Sequence, residues 1–197
     1  AALECREEVS LRYISQSADF GEPDLVILPG TKSTIADLLW MRQNGLEGKI
    51  LRHASAGGLV FGICGGYQML GAEVHDPDGV EAGAGKCVRG MELLPARTVF
   101  EPEKHRTQIT GHFGIVQGAF AELTDVPFAG YEIHMGKTEC MGETEPLLHL
   151  DSGTADGMQH GNVYGCYIHG IFDQAEVVTA VLKTILKRKG LDADQVK

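Results

Sequence analysis

Two short apolar runs, Asp24 to Leu28 and Leu59 to Ile63, constrain this chain more than anything else in it. Each is too short for a helix and lacks polar alternation, the pattern of a strand covered on both faces. Pro29-Gly30 stops the first and Cys64-Gly65-Gly66 the second, and a helical pattern follows each stop. Ser33 is placed to cap a segment from Thr34 to Gln43, with Ile35, Leu38, Leu39 and Trp40 apolar and Asn44-Gly45 beyond its end. A second helix is predicted over Leu46 to Ala56, ended by Gly57-Gly58, and a third begins through Tyr67, Met69 and Leu70. Strand, helix, strand, helix predicts an α/β fold with a mostly parallel central sheet flanked by helices.

Val9 to Ile14 alternates apolar and polar and predicts a further strand. From about Val74 to Leu150 the character changes. Leu93 to Phe100, Arg106 to Thr110, Gly114 to Gln117 and Tyr131 to His134 are β-like runs separated by Gly, Pro and Asp turns, which predicts an antiparallel extension in the middle of the chain. Val163 to His169 is the last predicted strand. Asp173 then opens a helix with Glu176 at the capping-box position, Val178, Val181, Leu182 and Ile185 on one face, and Lys187, Arg188 and Lys189 before Gly190.

Composition narrows the classes. With 197 residues, 43% hydrophobic and 22% charged, the chain has material for one core, so a single domain over 1–197 is expected and disordered or fibrous classes are excluded. Lys+Arg 17 against Asp+Glu 27 gives a net charge of -10, which argues against nucleic acid or an anionic membrane as the main partner. No apolar run approaches the roughly 20 residues of a spanning helix and no signal pattern opens the chain, so a cytoplasmic location is expected. Five cysteines, Cys5, Cys64, Cys87, Cys140 and Cys166, form an odd set without a C-x-x-C pair, so neither a disulfide framework nor a metal site is predicted.

Chemistry concentrates at Gly62-Ile63-Cys64-Gly65-Gly66, where a cysteine stands between glycines at a strand-to-helix junction. That is the form of a nucleophile elbow, and a helix N-terminus there is expected to favour the thiolate. A buried structural cysteine or a phosphate-binding turn has the same local pattern. Among the eight histidines, His169 ends the last predicted strand and emerges at the same sheet edge as Cys64. His134, ending Tyr131 to His134, fits either the site or a structural role. His53 reads as a solvated mid-helix residue, and His75, His105, His149 and His160 as polar loop residues. Leu28-Pro29-Gly30-Thr31-Lys32-Ser33 offers backbone amides for an oxyanion, or simply a capped βα loop. No Walker A pattern occurs, so no nucleotide site of that kind is expected.

Cys64-Gly65-Gly66-Tyr67-Gln68 resembles the C-x-G-x-Q motif of the class I, or triad-type, glutamine amidotransferases. Leu28 to Thr34, Gly62 to Gly71, Gly130 to Gly136 and Tyr167 to Asp173 are similar to the signature stretches of glutaminase domains in the cobyric acid synthase branch, in the same order. The resemblance covers about Val9 to Leu186 and implies a flavodoxin-like amidotransferase fold. It implies Cys64 as nucleophile and His169 as base, oxyanion amides from the Gly30-Thr31 turn and Gly65, and substrate contacts from Tyr67 and Gln68, with His134 a further candidate. Glutamine is the implied substrate. Ammonia would pass to a synthetase domain of the same polypeptide that amidates a corrinoid acceptor, adenosylcobyrinic acid a,c-diamide. No cofactor is implied in this stretch, and ATP and Mg2+ belong to the synthetase domain.

Two departures stand out. Most triad-type members carry a glutamate two residues after the histidine, where this chain has Ile171. Relatives also have a further strand and the synthetase domain ahead of Val9, so the resemblance implies a piece of a longer protein lacking both. A glutaminase serving another synthetase (cobyrinic acid a,c-diamide synthase or the cell-wall isoglutaminyl enzyme), a cysteine hydrolase of another kind, and a silent docking module remain as alternatives.

Overall fold

The structure is a computed structural model that describes residues 2–194 and 196, with side chains for all of these except residues 104 and 105. The reading of His105 as a loop residue is overturned by the backbone, which places it within the strand Ala96–Phe113 in register with His134.

The two apolar runs form β1 (Leu25–Leu28) and β2 (Leu59–Ile63), which pair in parallel, with α1 (Thr34–Gln43) and α2 (Leu46–Ser55) between them. α3 (Gly65–Leu70) follows β2 directly. The strands β3 (Glu73–Asp76), β4 (Lys86–Arg89), β5 (Ala96–Phe113), β6 (Pro127–Cys140), β7 (Leu148–Leu150) and β8 (Ala155–Asp156) make up the middle of the chain. It closes with β9 (Met158–His160), β10 (Val163–Cys166), β11 (Ile168–His169) and α4 (Ala175–Arg188). One sheet has the order β1-β2-β10-β9, parallel except for β9; the other runs β11-β6-β5-β3-β4, with β7 attached to β5 and β8 to β7, and is antiparallel except at β3 and β5. The α/β class is as expected, and the antiparallel extension is the larger of the two sheets.

Burial on both faces explains the unbroken apolar runs. Along β2, Leu59 and Phe61 enter one core with Phe113, Phe120, Tyr164, Phe172 and Val178. Val60 faces a second core with Leu28, Ile35, Leu38, Tyr67 and Leu70. α4 covers the first core with Val177, Val178 and Val181, and Gly190 at φ 68 ends it as the C′ glycine preference predicts. Among the described residues, no helix is long and apolar enough to cross a membrane.

Val9 to Ile14 forms no strand. It has no ladder partner, lays Val9, Leu11 and Ile14 against the cores, and is anchored by Arg12, whose guanidinium donates to the carbonyls of Asp19 and Phe20 at 3.0 and 3.1 Å. Alternation there records half-burial alone. Leu93 to Phe100 and Arg106 to Thr110 lie on one long strand from Ala96, because Pro102 falls in the register shift between Val99 and Lys104, where no ladder N–H is required. Gly114 to Gln117 is a loop.

The last predicted strand divides at Tyr167: β10 pairs with β2, whereas β11 crosses to the other sheet beside β6. Asp173 ends a 3-10 turn, and Gln174 occupies the N-cap of α4 without a side-chain cap. Ser33 likewise holds the N-cap position of α1 without a side-chain bond. His53 is no solvated residue; its Nε2 lies 3.0 Å from the Leu59 carbonyl and its ring packs edge-on against Phe20. His75, His149 and His160 stand on strands β3, β7 and β9.

Gln159, 2% exposed, holds the 114–117 loop in place of a ladder. Its Oε1 accepts the Gln117 N–H at 2.7 Å, and its Nε2 donates to the carbonyls of Ile115 and Glu145 at 2.8 and 3.3 Å. Gln159→Leu keeps the volume and removes all three bonds, so urea denaturation should show a loss of about 2 kcal/mol at unchanged m-value, since each hydrogen bond contributes about 0.5–1.5 kcal/mol net. A loss below about 0.5 kcal/mol would show that these bonds do not hold the loop.

Candidate active site

Cys64 stands between β2 and α3 with φ 52° and ψ -113°, a left-handed conformation that a side chain adopts only under strain. Its N–H donates to the Cys166 carbonyl at 2.9 Å, so β2 remains paired with β10 up to the nucleophile candidate. α3 then packs directly on β1. A Cβ on Gly66 would stand 2.1 Å from the Leu28 carbonyl oxygen, so a side chain there would force the helix off the sheet and open the elbow.

The crossing at Tyr167 carries His169 to the same place. A Cβ on Gly30 would lie 2.7 Å from His169 Cε1 and 3.5 Å from Cys64 Cβ, so the bare turn after β1 is the space the two side chains share. The ring of His169 stacks on Tyr131 at 5.2 Å and hydrogen-bonds the Ile133 carbonyl. Cys64 Sγ donates to that same carbonyl at 3.4 Å. Ile171, which occupies the place of the family's glutamate, is fully buried in the first core, so no carboxylate reaches His169 from there. The Ile133 carbonyl takes the orienting position instead. By accepting from one ring nitrogen it leaves the other nitrogen of a neutral imidazole with its lone pair.

The remaining predicted residues divide between the site and its walls. Gly65 presents its N–H to Cys64 Sγ and sits against Thr31. Thr31 holds the turn itself: its hydroxyl donates to Asp37 Oδ2 and accepts the Ser33 N–H. Tyr67 is buried, packed against the backbone of Gly165 and edge-on to Tyr167 at 5.2 Å. Gln68, equally buried, accepts from Thr34 Oγ1 at 3.0 Å and donates to the Met135 carbonyl and Tyr167 Oη, both at 3.2 Å. The side chains of Tyr67 and Gln68, given a share in substrate binding by the resemblance, are thus spent on tying α3 to α1, β6 and Tyr167. His134 stacks on Tyr167 at 3.7 Å, with Nε2 2.5 Å from Glu132 Oε1 and Nδ1 3.0 Å from the Gly136 carbonyl.

Electrostatics reverse one expectation. Cys64 is 6% exposed, and burial pushes its thiol up to about 11; the Gly65 N–H lowers it, while Glu81, Asp156 and Glu132 raise it further. The thiolate-favouring junction predicted from the sequence is therefore outweighed, since the sulfur is buried, α3 is only six residues long, and the negative charges of Glu81, Asp156 and Glu132 act against a thiolate. Burial also lowers His169 from the ordinary histidine value, against the Ile133 bond, which raises it. Both directions favour a neutral pair, with the proton on sulfur. Asp156, pushed up to about 6 by burial, accepts the Tyr167 N–H at 2.9 Å.

Sequence reasoning missed Ile133, Glu81 and Asp156. A backbone carbonyl has no residue identity to recognise, and the two carboxylates come from loop and edge segments distant in sequence. Because the thiol is held protonated, iodoacetamide modification of Cys64, followed by peptide mass mapping, should rise about tenfold per pH unit between about pH 7 and 9. A plateau below about pH 8.5 would contradict the burial argument.

Comparison with known proteins agrees with this geometry. The chain matches the family model of the CobB/CobQ-like glutamine amidotransferase domain over residues 1–177. It is 48% identical over 201 residues to the cobyric acid synthase of Ruminiclostridium cellulolyticum, covering 98% of this chain and 39% of that protein. The corresponding enzymes of Lachnoclostridium phytofermentans and Clostridium acetobutylicum are 44% and 45% identical, over 98% and 97% of this chain and 40% and 38% of their own lengths. The chain thus spans about two fifths of the length of these relatives. Among solved structures, PurLQS from Thermotoga maritima superposes with a TM-score of 0.64 at 17% identity, over 90% of this chain and 85% of that one. A crystal structure of a glutamine amidotransferase gives 0.58 at 16% identity, over 93% and 88%. At such identities these two establish a shared fold, and together with the family match they lead to one conclusion: the chain belongs to the CobB/CobQ-like glutamine amidotransferase domain family.

Proposed function

We propose that this domain is the glutaminase half of a cobyric acid synthase, hydrolysing glutamine at Cys64 and supplying ammonia to a synthetase domain of the same polypeptide. The observation that carries the reading is the shared space at Gly30, with the strained Cys64 on one side and the His169 ring on the other. Identity of 44–48% to cobyric acid synthases supports the branch. The synthetase domain would hold ATP and Mg2+ and present the corrinoid acceptor, adenosylcobyrinic acid a,c-diamide.

In the proposed reaction, Cys64 Sγ attacks the side-chain carbonyl carbon of glutamine as its proton passes to the free nitrogen of His169. The carbonyl oxygen becomes an oxyanion, met by the backbone amides of Gly30 and Gly65. Collapse breaks the carbon–nitrogen bond; His169 returns the proton to the leaving nitrogen, and ammonia departs from a γ-glutamyl thioester. Water, deprotonated by His169, then cleaves the thioester to glutamate and restores the thiol. His169 acts through its lone pair, so its lowered pKa keeps the base form present at neutral pH.

In this structure the thiol proton points to Ile133, not into the reaction coordinate. Docking of the synthetase domain, or of substrate, would redirect it. Ammonia release in the reconstituted enzyme should vanish in Cys64→Ala and fall about 10²–10⁴-fold in His169→Ala, the usual range for a positioned base. Cys87→Ser and Cys140→Ser should retain it. Turnover in Cys64→Ala, or full activity in His169→Ala, would overturn the assignment.

A further inference from the structure

Away from Cys64, three side chains with metal-binding atoms converge on the hairpin at the edge of the larger sheet. Glu73 and His75 are two residues apart on β3 and share a face, while Val74 and Asp76 turn inward and are buried. His75 is in register with Cys87 on the edge strand β4. His75 Nε2 lies 2.8 Å from Glu73 Oε2 and 3.5 Å from Cys87 Sγ, and all three ligand atoms fall within 4.8 Å of one another. Cys87 is exposed and the other two are half-exposed, so an ion can enter from solvent. The flanking arginines do not claim Glu73, for Arg89 turns to Glu92 and Arg97 to Glu139.

One detail separates a metal site from a reactive thiol. A base that activates a cysteine uses one ring nitrogen for sulfur and the other for its acid partner. Here sulfur and carboxylate oxygen both address Nε2, so the three donor atoms surround a single point. Sulfur, imidazole nitrogen and carboxylate oxygen together suit a borderline-soft divalent ion, and three protein ligands leave a fourth tetrahedral position for water.

We infer that Glu73, His75 and Cys87 form a surface site for a divalent ion of the zinc class, separate from the Cys64 site. On binding, Cys87 releases its thiol proton to solvent, His75 contributes the Nε2 lone pair and Glu73 a carboxylate oxygen. The ion would tie β3 to β4 at the base of the loop whose Glu81 accepts the Ile35 N–H at the start of α1.

Co2+ titration of the protein, followed by absorption spectroscopy, tests the site. A single equivalent should develop thiolate-to-metal charge-transfer and tetrahedral d–d bands. Cys87→Ser should abolish the charge-transfer band, and His75→Gln and Glu73→Gln should each weaken binding at least tenfold. The Cys5→Ser/Cys140→Ser double variant should keep the band. In the unaltered protein, Zn2+ should protect Cys87 from iodoacetamide, a readout independent of any variant's folding. Absence of the bands, their survival in Cys87→Ser, unchanged affinity in either Gln variant, or equal alkylation of Cys87 with and without Zn2+ would overturn the proposal.

Discussion

The active-site geometry depends on one forced backbone conformation. Cys64 is held at positive φ because β2 must turn into α3 within a single residue while α3 remains pressed on Leu28. Such a residue costs on the order of 1–3 kcal/mol, so it persists only where its surroundings leave no alternative. Those surroundings are the parallel pairing of β2 with β1 and β10 and the absence of a side chain at Gly66. The sheet core therefore holds in place the strain that presents the sulfur.

The second requirement is that His169 arrive from a different sheet. β10 belongs with β2, and β11 with β6, so the chain changes partner at Tyr167. Tyr167 secures that change through its N–H to Asp156 and its hydroxyl to Thr138 and Gln68. The same crossing brings Ile133 to both reactive side chains. One backbone carbonyl then accepts hydrogen bonds from both the imidazole and the thiol, in a chain whose Ile171 offers no carboxylate. With sulfur and imidazole both neutral, the proposed reaction requires proton transfer between them.

Much of this is legible in the sequence where a local rule has a single outcome. Both-face burial writes an unbroken apolar run, which made β1 and β2 readable, and the glycines around Cys64 mark a tight strand-to-helix turn, a pattern that a nucleophile elbow shares with a phosphate-binding turn. His169 is readable as the end of a strand beside a glycine. Other features have no local signature. Val9 to Ile14 alternates as a strand does, yet alternation reports half-burial and is silent on whether a ladder partner exists. The bulge at Pro102 joins two runs that punctuation rules separate. The state of Cys64 depends on carboxylates at 81, 132 and 156, which only the fold gathers. Glu73, His75 and Cys87 likewise share no motif spacing and meet through strand register alone.

The central claim is that the buried Cys64 thiol becomes a nucleophile only through His169. A glutamine analogue carrying an electrophilic diazoketone in place of the carboxamide tests it directly, with the adduct located by mass spectrometry of the intact chain and its peptides. The account predicts one adduct per chain, on Cys64, formed in the unaltered protein and lost in His169→Ala while His169→Ala retains its folded melting transition. Undiminished labelling of Cys64 without His169, or an adduct on another cysteine, would contradict it.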